Sequence, residues 1–568
     1  MTSSTRSGFI LSFFTLAAVV VLLSCAGQIP PPGGPVDVVP PEVIRTVPDT
    51  NAVRVETNSI ELEFSKYVDR RSVEESIFIS PYVGDLEFDW SGTSVAVRFT
   101  QALRRNTTYV VNIGTDVKDR RAGNRMARGF TLAFASGDSI DRGAIRGRVY
   151  DEKPEGVMIF AYALGGINPD TLNPATTRPD YIMQTGLRGT YSLSHLSYNR
   201  YRVFAVRDQY RDLVYDKQTD QCGVASEDVV LSAQRPEVHD VNFQLSEEDT
   251  TRPFLTAVRA LDRRHLVLGF SEPIDSITFG RGEFLLSDTA TGESVPIALQ
   301  FLRPGAPSNG GILTVSAMDS GAGYRLTVRN ISDRAGNPVD SLHASGDFAG
   351  NGTPDTLRPQ LVFSVKDSAR GISPDAPLRV TFSEPVDTVS LAHGLTLSDT
   401  GKGILAAELL WVSPVQLLIR PHTELRFNSW YRLRVAMDSV RDAEGNSYKD
   451  STAVVRFQTL DLRTTGTVEG SVTDARAGAG RIVVTVAGID ATDVRRKSIS
   501  IPAPGGFLLD QLPEGKYVVS AFRDADDSGT YSYGLPFPFK PAERFAVYQD
   551  SVKVRARWGV QGVVISLK

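Results

Sequence analysis

The chain is 568 residues long, 41% hydrophobic and 22% charged, and its 61 Lys and Arg against 66 Asp and Glu give a formal net charge of −5. No basic excess exists to neutralise phosphates, which excludes nucleic acid as the main partner, and the apolar fraction is too small for a polytopic membrane protein. Gly at 48 and Pro at 32 suit a turn-rich β protein of about three to five domains, while six His and two Cys starve most zinc and thiol chemistry.

Arg6 precedes an uncharged apolar run from Gly8 to Leu23. That run is shorter than the ~20 residues a membrane-spanning helix needs, and it fits the apolar stretch of a signal peptide. It ends in Leu22-Leu23-Ser24-Cys25-Ala26, which resembles a bacterial lipobox. The resemblance implies cleavage before Cys25 and acylation of its side chain and new amino group. Cys25 is therefore the expected lipidation residue, behind a signal peptide at 1–24. Pro30, Pro31, Pro32, Pro35, Pro40 and Pro41 follow, and make 25–41 an extended tether. With Cys25 acylated, Cys222 has no disulfide partner and reads as a small buried hydrophobe.

Three segments then repeat one pattern. Ile60-Glu61-Leu62-Glu63-Phe64, Leu266-Val267-Leu268-Gly269-Phe270 and Leu378-Arg379-Val380-Thr381-Phe382 alternate as strands with one buried face. Each breaks at a Ser followed three residues later by Val or Ile and then Asp: Asp69, Asp275 and Asp387. About fifty to sixty residues on, Tyr109, Tyr324 and Tyr431 open a second strand, and turns follow at Asp119…Gly123-Asn124, Asp333…Gly336-Asn337 and Asp442…Gly445-Asn446. Gly-Asn favours positive φ and predicts a tight connection. Together these motifs resemble the bacterial Ig-like domain of S-layer proteins and exported lipoproteins, which implies a β-sandwich with no active site of its own.

Two further segments repeat each other at a constant offset. Tyr191, Tyr201 and Asp208 match Phe507, Tyr517 and Asp524. Their strand-and-turn pattern resembles the transthyretin-like, carboxypeptidase-regulatory-like sandwich. The chain thus reads as an all-β tandem array of five sandwiches in the order A-B-A-A-B: A1 at 42–138, B1 at 143–246, A2 at 251–349, A3 at 355–459 and B2 at 464–568.

Chemistry is sparse. The six histidines are scattered, and no zinc-protease, phosphate-loop or nucleophile-elbow motif is present, so no enzyme is expected and no catalytic residue is named. The pairs Glu272/Asp275 and Glu384/Asp387 offer two carboxylates each, but A1 has Lys66 where the glutamate stands, and a solvated strand end is the expectation. Asp524-Ala525-Asp526-Asp527-Ser528-Gly529 opens like a calcium loop, with oxygen donors at alternate positions. Asp524, Asp526 and Ser528 are the candidate metal ligands and calcium the one candidate cofactor. Leu535 stands where an EF-hand needs its glutamate, so no EF-hand exists, and the matching B1 loop places Arg211 inside. Trp90, Trp411, Trp430 and Trp558 read as packing residues ahead of sugar platforms. The loop Tyr531 to Phe539 reads as a partner-binding surface or a lid over a strand edge.

The expected role is a non-enzymatic structural or adhesive stalk held on a membrane by lipid. Its expected partner is an unidentified cell-envelope protein or glycan. Similarity to Bacteroidetes-type lipoproteins of this architecture implies the outer membrane. The alternative is a carbohydrate-binding accessory of a polysaccharide-handling system.

Overall fold

Alternating apolar residues need two sheets to close on, and the computed structural model shows that closure in every module. It describes residues 36–303, 309–401, 403–448, 451–476, 478–489 and 496–568. Cys25, the signal peptide and most of the tether lie outside the described residues. The fold is all-β, a tandem array of Ig-like sandwiches, and its contacts divide the chain into two compact units.

The first unit holds A1 with residues 154–156 and 180–197. Strands Val43–Val47, Ser59–Phe64, Ser94–Phe99 and Leu86–Ser91 form one antiparallel sheet in that spatial order, and Ile77–Ser80, Thr108–Ile113 and Phe130–Ala135 form the second. Ile60, Leu62 and Phe64, at alternate positions of one strand, are buried against Val111, Ile113, Leu132 and Phe134 of the other sheet. Each such side chain taken out of water contributes roughly 1.5–3 kcal/mol. Residues 180–197 join through polar bonds as well as packing. Asn112 donates its amide to the Ile182 carbonyl at 2.8 Å and accepts from Thr131 Oγ1 at 2.8 Å; buried amides are tolerated only when satisfied in this way.

The second unit holds A2, A3, B2 and the remainder of B1. A2 repeats the four-plus-three sheet arrangement of A1, whereas A3 pairs a four-stranded with a five-stranded sheet. In B2, strand Thr465–Asp474 runs parallel to Gly559–Leu567 and antiparallel to Gly505–Pro513, and it faces a sheet built on Arg481–Gly488 and Gly515–Asp524. A2, A3 and B2 each own a separate apolar core.

The tyrosine that opens the second strand of each A repeat has a defined task. Its hydroxyl accepts the N–H of the residue five positions upstream: Arg104 to Tyr109 at 2.6 Å, Asp319 to Tyr324 at 3.0 Å and Arg426 to Tyr431 at 2.8 Å. The rings stack on Phe134, Phe348 and Phe457 at 5.6–5.8 Å. A phenylalanine would fill the same volume and strand that backbone donor, at about 1 kcal/mol.

One expectation is corrected. Asp69, Asp275 and Asp387 do not sit at the ends of solvated strands; each caps a short helix, Arg70–Glu74, Ser276–Arg281 and Thr388–Gly394, by accepting backbone N–H groups of its first turn. Five to seven residues are too few for helical periodicity to show in a sequence. The loop Tyr531 to Phe539 also acquires an occupant: the Phe539 ring meets Phe204 of B1 edge-on at 6.3 Å, and the Arg202 guanidinium lies 3.6 Å from its centroid. Ala542 N–H bonds to Ala225 O at 3.3 Å, and Lys568 pairs with Asp240 at 2.8 Å. The loop is a cover, and what it covers is this chain's own B1 sheet.

Candidate metal centre

Among the described residues two kinds of place gather carboxylates, and the first is a crossing repeated in each A module. The turn aspartate folds its own turn, as Asp119 does by accepting from the N–H groups of Arg121, Ala122 and Gly123 with Oδ1 at 2.6–3.1 Å. The glycine is required there, since Gly123, Gly336 and Gly445 have φ between +75° and +92°. The following asparagine ties the turn to the start of the module: Asn124 donates to Asp37 O, Asn337 to Asp249 O and Asn446 to Asp355 O, at 2.8–3.0 Å.

The third strand of each crossing is the residue after Phe-Ser, and here the copies diverge. In A1, Lys66 Nζ reaches Asp37 at 2.9 Å and Val39 O at 2.7 Å. In A2, Glu272 joins Asp249 and Asp333, and in A3, Glu384 joins Asp355 and Asp442, each set offering carboxylate oxygens within 4.8 Å of one another. Burial, then the charges of Asp355 and Asp442, push the Glu384 carboxyl up to about 7. Burial with Asp249 and Asp333 raises Glu272 in the same direction. Neither Glu272/Asp275 nor Glu384/Asp387 is the solvated strand end expected of it: the aspartate caps a helix and the glutamate enters the crossing.

The A3 crossing also meets A2. His265 Nδ1 lies 2.8 Å from Asp262 and 3.7 Å from Asp355. Burial pushes its pKa down, but the Asp262 hydrogen bond and the surrounding carboxylates outweigh that and leave it raised. Arg263 and Arg264 reach Glu444 at 2.8 and 3.2 Å, so this joint carries its own counter-charge.

The second place is the B2 loop. Strand Gly515–Asp524 pairs antiparallel with Phe545–Val547, Phe522 opposite Phe545, and Arg523 N–H bonds to Arg544 O at 2.9 Å. One step further along this register sets Glu543 beside Asp524. Glu543 braces the loop, accepting Ala525 N–H at 2.6 Å and Ser532 N–H at 3.0 Å. Asp526 accepts Ser528 N–H at 3.0 Å and Ser532 Oγ at 2.6 Å, and these donors hold its carboxyl down at about 2. Asp524 and Glu543 are buried, at 1% and 7% exposure, and one oxygen from each of Asp524, Asp526 and Glu543 falls within 4.8 Å of the others. Burial, with Asp526 and Asp524 adding to it, raises the Glu543 pKa.

Of the expected ligands, Asp524 and Asp526 converge. Ser528 instead donates to Thr530 O at 2.8 Å, and the third carboxylate is Glu543, which spacing within the loop could not reveal. Cys222 is buried and reduced, and burial pushes its thiol pKa well up. Trp411 packs on Phe382 at 5.8 Å, Trp90 and Trp430 lie under Arg70 and Arg370, and Trp558 is 71% exposed.

Residues 37–136 and 355–459 match the family described as "Bacterial Ig-like domain". No curated protein matches the sequence. Among solved structures, the N-terminal part of the bacterial S-layer protein SbsC is 13% identical over 37% of this chain and 45% of that one, with a TM-score of 0.17. Domains 1–6 of SbsC are 9% identical over 91% and 67%, at 0.14. An L,D-transpeptidase from Mycobacterium smegmatis is 13% identical over 37% and 90%, also at 0.14. The chain thus spans less than half of the first of these, and scores of this size carry no weight for function. The two matched segments coincide with the outer A repeats, and the chain carries bacterial Ig-like domains there.

Proposed function

We propose that the chain is a lipid-anchored structural protein of the cell envelope, held to a membrane through Cys25 and acting through its β-sandwich modules rather than by catalysis. The observation that carries this reading is the repetition of Ig-like modules, matched at both 37–136 and 355–459, behind an apolar segment ending in Leu22-Leu23-Ser24-Cys25. Several acyl chains, at ~0.8 kcal/mol per buried CH₂, would hold such an array on a bilayer without a spanning helix. The outer membrane is the membrane we favour. The carboxylate crossings fit this role, because each ties the start of a module to its Gly-Asn turn. The exposed Trp558 supports carbohydrate binding as a second reading, which glycan-array binding lost in Trp558→Ala would establish.

Replacing Cys25 with Ser tests the anchor. Wild-type protein should label with radioactive palmitate and sediment with membranes, whereas the variant should lose the label and appear in the soluble fraction. A variant that still sediments without label would refute lipid anchoring.

A further inference from the structure

Independently of how the chain is anchored, we propose that Asp524, Asp526 and Glu543 bind a divalent cation, calcium by the nature of the donors, in the hairpin loop of B2. An acidic cluster alone says little, since exposed carboxylates abound at turns. Glu272 Oε1 of the A2 crossing also lacks a hydrogen-bond partner, but on a side chain only partly buried; what distinguishes the B2 loop is Asp524. Its Oδ2 accepts Gly529 N–H at 3.0 Å, while its Oδ1 is fully buried and has no hydrogen-bond partner, on a residue only 1% exposed. A carboxylate oxygen withdrawn from water without a donor is strongly disfavoured unless a cation meets it. Protein cations do not fill the role among the described residues: Arg523 and Arg544 both turn to Asp474 at 2.6–2.7 Å, and Arg481 turns to Asp527 at 2.7 Å.

The remaining donors suit a hard cation. Each oxygen of Asp526 and Glu543 accepts one hydrogen bond and keeps a second lone pair. Calcium takes six to eight oxygens in flexible geometry, from carboxylates, carbonyls and water, whereas magnesium demands a regular octahedron. The loop is already shaped around the three side chains, with Asp527 and Gly529 at φ +57° and +75°, so little ordering entropy opposes binding.

The sister module is an internal control. In B1, Asp208 satisfies both oxygens, accepting Arg211 N–H at 2.6 Å and Leu213 N–H at 2.9 Å. Asp220 stands in for Glu543, accepting Gln209 N–H and Asp216 N–H at 3.0 and 2.9 Å. Tyr210 replaces Asp526, and Arg211 replaces Asp527. The brace is retained, while the third carboxylate and the unpartnered oxygen are not.

The test is calorimetric titration of the chelator-stripped full chain with calcium chloride, comparing wild type with Asp524→Asn, Asp526→Asn, Glu272→Gln, Glu384→Gln and Asp208→Asn. Asp526 is exposed and contributes no core packing, so its variant guards against a folding defect in Asp524→Asn. One equivalent of calcium should disappear, or weaken at least ten-fold, in both Asp524→Asn and Asp526→Asn, and remain in Asp208→Asn. No calcium binding by the wild type, binding unchanged in both B2 variants, or loss confined to Glu272→Gln or Glu384→Gln would overturn the assignment.

Discussion

A1 and A3 build their crossings on the same kind of turn and then load them with opposite charge. In A1 the position after Phe-Ser is Lys66, which meets Asp37 and a backbone carbonyl. In A3 it is Glu384, which meets Asp355 and Asp442. The Asp442 turn, the Asn446 tie to Asp355 and the Tyr431 hydroxyl bond are nevertheless those of A1. The scaffold therefore does not depend on the sign of this residue. What the sign changes is the response to protons: A1 closes its crossing with an internal cation, whereas in A3 burial with Asp355 and Asp442 raises Glu384 to about 7, so that it takes up a proton as the pH falls through that value, with His265 beside it.

If the scaffold is indifferent to the crossing, the core must carry A3. Leu433 is fully buried, and Leu433→Ala should destabilise the module by about 2–5 kcal/mol. Hydrogen exchange of A3 peptides should accelerate at pH 5 and pH 8 alike, with A1 peptides unchanged. Acceleration at one pH only would give the crossing a larger share of stability than the comparison allows.

The smaller effect is the pH dependence itself. Glu384 has its folded pKa raised from 4.5 to about 7, so the folded module binds the extra proton between those values. Its stabilising contribution is complete below pH 4.5 and is lost as pH rises to 7. His265 is also raised, so its contribution is present below its unfolded value of ~6.5 and fades as pH rises through the higher folded value. Asp355, raised chiefly by burial, acts in the same direction as Glu384. Asp262 is lowered: burial raises it, but its bonds to His265 outweigh that, and its contribution fails only in acid below ~3.8. Hydrogen exchange of A3, corrected for intrinsic rates, should therefore show weaker protection at pH 8 than at pH 5. Glu384→Gln should remove much of that difference, and A1, with Lys66, should show no comparable loss. An A3 equally protected at both pH values would break the distinction between the modules.

The repeated strands and the Gly-Asn turns are legible in the sequence, because period-2 burial and positive-φ glycines act over a few residues. Three features are not. Asp275 and Asp387 read as solvated strand ends because a helix of six or seven residues leaves no periodic trace. Glu543 belongs to the Asp524 loop only through strand pairing, and the residue whose N–H it accepts, Ala525, is eighteen positions away. The reach of Phe539 to Phe204 and Arg202 is longer still, and no local pattern encodes it. Local alternation specifies the sandwiches, whereas register and module contact specify where their charges meet.

The most direct measurement is the titration of the Glu384 carboxyl by ¹³C NMR of protein labelled at the glutamate side-chain carboxyl carbon, assigned by the resonance missing from Glu384→Gln. The account predicts an apparent midpoint near 7, well above ordinary glutamates at ~4.3. A Glu384 resonance titrating with those ordinary glutamates would contradict the claim that the A3 crossing takes up a proton near pH 7 where A1 uses a lysine.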